Sequence, residues 1–124
     1  MNVLAREGIK PLYEGESYTV SQYLTLPDDG FQYEITKGKM VVVPAPLDSH
    51  QNLAGQLFYE IKRHLDSHSL GIVRIAPRDV KLSEDLKYQP DILFILKERL
   101  AINLPQYVNG APDFVVEVLS RGTL

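Results

Sequence analysis

Two short apolar runs, each carrying a carboxylate, constrain this chain more than any other feature. The first reads Tyr88-Gln89-Pro90-Asp91-Ile92-Leu93-Phe94-Ile95-Leu96 and the second Asp113-Phe114-Val115-Val116-Glu117-Val118-Leu119. Their length, their branched and aromatic residues, and apolar positions on both faces predict buried strands. Asp91 stands at the mouth of one strand and Glu117 inside the other. A buried carboxylate without a partner costs on the order of several kcal/mol. A bound cation is one way to offset that cost. For Glu117, an internal ion pair with Lys81 or Arg78 is another.

The elements around these strands follow from local signals. Residues 1–15 show no period and read as an N-terminal arm. Thr19 caps a short helix through about Leu24, which Pro27 and the Asp28-Asp29-Gly30 turn close. Phe31–Thr36 alternates and Lys39–Val43 follows the Lys37-Gly38 turn, a hairpin in which Gly38 supplies the positive φ. Asp48 reads as the N-cap of the main helix, with Gln51 completing a capping box. Leu53, Ala54, Leu57, Phe58, Ile61 and Leu65 form its apolar stripe, and Gly71 ends it. Ile72–Ala76 and Asp79–Leu82 predict a second hairpin, broken at Pro77. Ser83–Leu86 reads as a turn, Lys97–Ile102 as a helical turn and Asn103–Pro112 as a loop.

This order predicts an α/β fold with a central mixed β-sheet flanked by helices, built as a single domain over residues 1–124. Only one long helix is present to cover a central apolar strand, so the short N-terminal helix or a second copy supplies the second layer, or, as is expected here, the C-terminal part of the core is missing. The chain has no cysteine, which excludes disulfides, thiolate metal sites and cysteine nucleophiles. Its net charge of -3 gives no global attraction to nucleic acid, so such binding needs a local basic patch. No apolar run approaches the ~20 residues of a membrane span, and the N-terminus lacks the pattern of a signal peptide. A cytoplasmic protein with no membrane partner is expected.

The chemistry open to these residues is that of hard cations. Magnesium or manganese takes one or two carboxylates, with waters completing the shell. Asp91 and Glu117 serve if their strands are adjacent. Glu34, on the outer face of its strand, and His50, at the helix start on the buried side, are the candidates to complete the site. Plainer roles stand beside these: a strand-start aspartate bonded to backbone for Asp91, an ordinary surface glutamate for Glu34, and a carboxylate-bonded histidine for His50. His64 and His68, four apart, could clamp zinc, but the helix C-terminus favours histidine anyway and no third ligand is evident. Phosphate-cradling glycine loops and a serine elbow are absent.

Taken in order, Tyr33-Glu34-Ile35 with Gly38, Pro44-Ala45-Pro46 with His50-Gln51, Gln89-Pro90-Asp91, and Gly110-Ala111-Pro112-Asp113 through Val116-Glu117-Val118-Leu119-Ser120 form a set. The set resembles the PD-(D/E)XK nuclease superfamily, and more closely its bacterial Uma-type, restriction-endonuclease-like branch. The resemblance implies a restriction-endonuclease-like core and Mg2+-dependent attack of water on a DNA phosphodiester, with Mn2+ able to replace Mg2+. It also implies Asp91 and Glu117 as metal ligands and Glu34 as the outlying acidic residue. The superfamily places a lysine two positions after the glutamate, where this chain has Leu119. The branch takes a lysine from a later helix, whereas here Ser120-Arg121-Gly122-Thr123 leads to Leu124. Lys81, Lys87 and Arg78 are the remaining basic candidates. Weak or no endonuclease activity is expected of the shortened chain. The alternative is a catalytically silent module of the same fold for nucleic-acid binding or subunit interaction. A homo-oligomer, in its simplest form a homodimer joined through an uncovered sheet face, is also compatible.

Overall fold

In the computed structural model, residues 10–119 are described; the first nine residues of the expected arm and the segment from Ser120 lie outside them. Their contacts divide the chain into two units. Unit 1 is the chain up to Pro44 with Lys81–Tyr88, and unit 2 is Ala45–Val80 with the chain from Gln89 onward.

Unit 1 is organised by the predicted hairpin. Strands β1 (Tyr33–Thr36) and β2 (Lys39–Val42) pair antiparallel, Tyr33 opposite Val42 and Thr36 opposite Lys39. Lys37 and Gly38 both take positive φ, 52° and 78°, the twist that a two-residue hairpin turn requires. Tyr33 and Ile35 point to one face and are buried with Met40, while Glu34 points to the other. Helix α1 (Val20–Tyr23) starts with the capping box predicted by Thr19: its hydroxyl accepts from Gln22 N at 3.1 Å and Gln22 Oε1 accepts from Thr19 N at 2.9 Å. This cap delivers Val20 into the core with Tyr33, Ile35 and Met40, beside Tyr13, Tyr18 and Tyr23.

Strands β4 (Val80–Ser83) and β5 (Leu86–Tyr88) are neighbours across the polar turn at Glu84, and β5 lies beside β1 with Ile35 opposite Lys87. The Lys87 side chain is buried. Its ammonium donates to the Tyr33 carbonyl and lies 4.3 Å from the centroid of the Tyr23 ring, so a hydrogen bond and a cation–π contact offset its desolvation.

Unit 2 packs helix α2 (Asp48–His68) on a three-stranded antiparallel sheet, β3 (Gly71–Ile75), β6 (Ile92–Leu96) and β8 (Phe114–Val116), with β6 in the centre. Leu65, Val73 and Ile92 form the buried core, with Leu57, Phe58, Ile61, Phe94 and Val116 against them. The rest of unit 2 is a 3-10 helix (Lys97–Ile102) and β7 (Val108–Asn109), whose Val108 N donates to Asp79 O at 2.8 Å. Asp113 ties β8 to the 3-10 helix: its carboxylate accepts from Leu96 N at 2.8 Å and pairs with Arg99 at 3.0 Å. The Leu96 bond, outweighing partial desolvation and assisted by Arg99, holds the Asp113 carboxyl below its ordinary pKa.

The α/β class stands, and several sequence expectations are corrected. A five-stranded sheet, β2-β1-β5-β4-β7, and a three-stranded sheet, β3-β6-β8, are present. Ile72–Ala76 and Asp79–Leu82 are not a hairpin: β3 pairs along its whole length with the distant β6, and β4 pairs with β5. Pro77 has no N–H to donate to a ladder, and the Arg78 guanidinium is drawn to Asn103 Oδ1 (2.6 Å) and the Leu104 carbonyl (2.5 Å). The N-cap of α2 is Leu47, whose carbonyl accepts from Gln51 N, so Asp48 occupies the first turn and no side chain caps the end. Ser69, in the left-handed conformation at φ 51°, caps the C-terminus instead of Gly71. Gly71 opens β3, where a Cβ would stand 2.1 Å from the Ile95 carbonyl oxygen. Leu53 is 46% exposed, which narrows the apolar stripe.

The second apolar run is also less buried than its composition suggests. As the edge strand of its sheet among the described residues, β8 leaves Phe114 50% and Val115 38% exposed. No helix of the described residues is long and apolar enough to cross a membrane.

Candidate metal centre

The backbone around Asp91 is fixed from three sides. Before it, the Gln89 side-chain amide donates to Asp79 Oδ1 at 2.7 Å and Pro90 is fully buried. Behind it, the Asp91 carbonyl accepts from Ala76 N at 2.9 Å, extending the β3–β6 ladder one residue past the Ile75–Ile92 pair. On the other side, Ile92 opposes Val116, so the next positions on the two strands are Asp91 and Glu117. Adjacency of the two carboxylate-bearing strands, which the sequence could only suppose, is present.

The Asp91 carboxylate is held as firmly as its backbone. Oδ2 accepts from the backbone N–H of Val118 at 2.6 Å and lies 3.2 Å from His50 Nε2. An ionised carboxylate has no proton to give, so in this contact Nε2 carries the proton and donates. The two side chains are only 17% and 18% exposed. His50 lies in the first turn of α2, at the end of the helix whose dipole favours negative charge. Two donors therefore converge on one oxygen, a ring N–H and a peptide N–H.

Glu117 is placed differently from its prediction. It lies just beyond β8 and is exposed, so water solvates it and no burial penalty demands a cation there. The peptide joining it to Val118 sits on the Asp91 carboxylate. The donor set of Asp91, Glu117 and the nearby backbone carbonyls is all oxygen, which suits a hard divalent ion with one or two carboxylates and several waters. Among the described residues no group of three His, Asp or Glu side chains stands close enough to cage an ion. The residues thus fit a water-rich, two-carboxylate site and not a closed one.

The remaining candidates have the following places and partners. Glu34 belongs to unit 1, on β1 opposite Val41. Leu119, in the place of the lysine, is 62% exposed. Lys81 bonds Glu84 at 2.6 Å, and Lys87 and Arg78 have the partners described above. His64 and His68 stack with ring centroids 4.2 Å apart, and His68 Nδ1 lies 2.9 Å from the His64 carbonyl. The sequence missed the Val118 N–H, because a backbone donor leaves no mark on residue type. It also missed the Gln89–Asp79 bond, although glutamine beside a buried proline was a usable signal.

The profile of the Uma2 family, described as a putative restriction endonuclease, matches residues 20–124. The chain belongs to the Uma2 family. Among curated proteins none matches. Among solved structures, this Uma2 chain is similar to the crystal structure of a putative nuclease belonging to DUF820 from Anabaena variabilis ATCC 29413. The TM-score is 0.68 at 20% identity, over 84% of this chain and 59% of that one. The likeness supports the restriction-endonuclease-like fold. The Uma2 chain matches only about three-fifths of its neighbour's length.

Proposed function

We propose that this Uma2 protein is a Mg2+-dependent endonuclease of the PD-(D/E)XK type that hydrolyses DNA phosphodiester bonds, with Asp91 and Glu117 holding the ion and Mn2+ able to replace Mg2+. The observation that carries this reading is the fixed Asp91 carboxylate, with Glu117 at the adjoining strand position. A divalent ion bound there would lower the pKa of a water molecule and stabilise charge on the scissile phosphate. His50 and the Val118 N–H are positioning groups, fixing one carboxylate oxygen and leaving the other side of Asp91 to bind. Glu34 is assigned as the outlying acidic residue from its motif alone. DNA is the partner and the cytoplasm the setting in this reading. With Leu119 in the lysine position, the rate is expected to be low. Nicking of supercoiled plasmid tests it: cleavage should require Mg2+ or Mn2+ and disappear in Asp91→Ala and Glu117→Gln. Cleavage that survives both substitutions would refute the assignment.

A second reading has its own observation. Oδ2 of Asp91 is already engaged by two protein N–H groups, and the lysine position is apolar. These features suit a catalytically silent module that binds nucleic acid or a subunit. Under this reading neither metal ion raises the melting temperature.

A further inference from the structure

The segment from Arg74 to Asp79 runs beside the segment from Gln89 to Leu93 and touches it at three places. Arg74 stands opposite Leu93, Ala76 N donates to the Asp91 carbonyl at 2.9 Å, and Asp79 Oδ1 accepts from the Gln89 amide at 2.7 Å. Arg74 thus lies on one side of the Asp91 contact along this strip and Arg78 on the other. In an antiparallel pair, a residue two positions from the one directly opposite is within reach of a long side chain. Arg74 has that relation to Asp91.

Both guanidiniums are oriented by neutral groups. Arg74 is exposed, and its Nη1 donates to the Val73 carbonyl at 2.8 Å. Arg78 Nη2 donates to Asn103 Oδ1 at 2.6 Å and to the Leu104 carbonyl at 2.5 Å, and its Nη1 reaches the Pro105 carbonyl at 3.4 Å. Arg78 Nε is buried with no hydrogen-bond partner among the described residues. Burial lowers the Arg78 pKa, the charge of Arg74 lowers it further, and Asp79 opposes them only in part. Amide and carbonyl oxygens aim a guanidinium without neutralising it, so two neighbouring cations keep their charge for an anion. The acidic positions Asp91 and Glu117 adjoin them, and these repel an acidic peptide. A phosphodiester strand suits both neighbours: one phosphate meets a divalent ion on the carboxylates while the next meets the guanidiniums. We propose that Arg74 and Arg78 grip a backbone phosphate of the DNA strand, next to the phosphate held at Asp91 and Glu117. The proposal rests on the nuclease reading above. It supplies the local basic group that a chain of net charge -3 needs to meet nucleic acid. Phosphate contacts carry no base information, so the two arginines set the register of the strand and not its sequence.

Fluorescence anisotropy of a labelled DNA duplex over a salt series tests it, once in EDTA and once in Mg2+. The wild type should bind the duplex, more tightly in Mg2+. Arg74→Ala, at an exposed position, should weaken binding roughly tenfold, alike for unrelated sequences, and reduce the slope of log K against log salt by about 0.9. Arg78→Lys, which keeps the charge and loses the fork, should weaken it as well. Circular dichroism confirms that each variant is folded, and Arg74→Ala decides alone if Arg78→Lys is not. Arg63→Ala, on α2, is the control and should bind as the wild type does. Wild-type affinity and slope in Arg74→Ala would overturn the proposal and leave the nuclease reading standing. An equal loss in Arg63→Ala would overturn it too, since overall charge would then explain the effect. Poly-glutamate bound as tightly as the duplex, with the same loss in Arg74→Ala, would assign the pair to an acidic protein and overturn it. A wild type that binds no duplex in either condition would overturn the proposal and the nuclease reading together.

Discussion

His50 Nε2 stands 3.2 Å from Asp91 Oδ2, joining the first turn of α2 to the mouth of the central strand β6. Both groups are more than four-fifths buried, so the contact is shielded from water. His50→Ala leaves Asp91 with the Val118 N–H alone. A hydrogen bond to a charged group is worth about 1.5–3 kcal/mol, and the residual exposure places the loss at the lower end. Urea unfolding of His50→Ala at neutral pH should show it as a lower midpoint with an unchanged slope. An unchanged midpoint would mean that the pair does not hold the helix to the strand.

Gly71 and Gly55 should respond in opposite directions to the same substitution. A Cβ at Gly71 would lie 2.1 Å from the Ile95 carbonyl oxygen, so Gly71→Ala must push β3 from β6 and cost about 1–3 kcal/mol or more. Gly55→Ala meets open space and improves helix propensity by up to about 1 kcal/mol. Thermal melts of the two variants check the contrast. Equal shifts would contradict the packing described.

The Glu84 carboxyl is lowered to about 2 from its ordinary 4.5, first by the Lys81 hydrogen bond and then by the Ser21 backbone and hydroxyl donors. A group with a depressed folded-state pKa stabilises the fold above its unfolded value and loses that contribution as pH falls through the folded value. The Glu84 contribution is therefore complete above pH 4.5 and gone near pH 2. The stability difference between wild type and Glu84→Gln should be flat above that window and shrink through it. A gap that widens with acid would reverse the sign and contradict the assignment.

What the sequence made legible was local. The hairpin at Lys37-Gly38 and the Thr19 cap were readable because each depends on residues within four positions of one another. The partner of β3 was not readable, because β6 lies some twenty residues away and nothing in Ile72–Ala76 distinguishes a near neighbour from a distant one. The exposure of Glu117 was missed because Phe114-Val115-Val116 reads alike in a central and an edge strand. For the candidate site, the sequence named Asp91 and Glu117 and put His50 on the buried side of its helix. It could not say that His50 and the Val118 N–H meet on one oxygen, since that depends on the register of β8 against β6.

The assignment of a divalent ion to Asp91 and Glu117 is tested most directly by thermal unfolding in a titration with Mn2+ and Mg2+. The wild type should gain melting temperature with either ion in proportion to RT ln(1 + [L]/Kd). Glu117→Gln, which changes an exposed side chain, should gain none. Equal gains in both proteins, or no gain in the wild type, would contradict the metal site at Asp91 and Glu117.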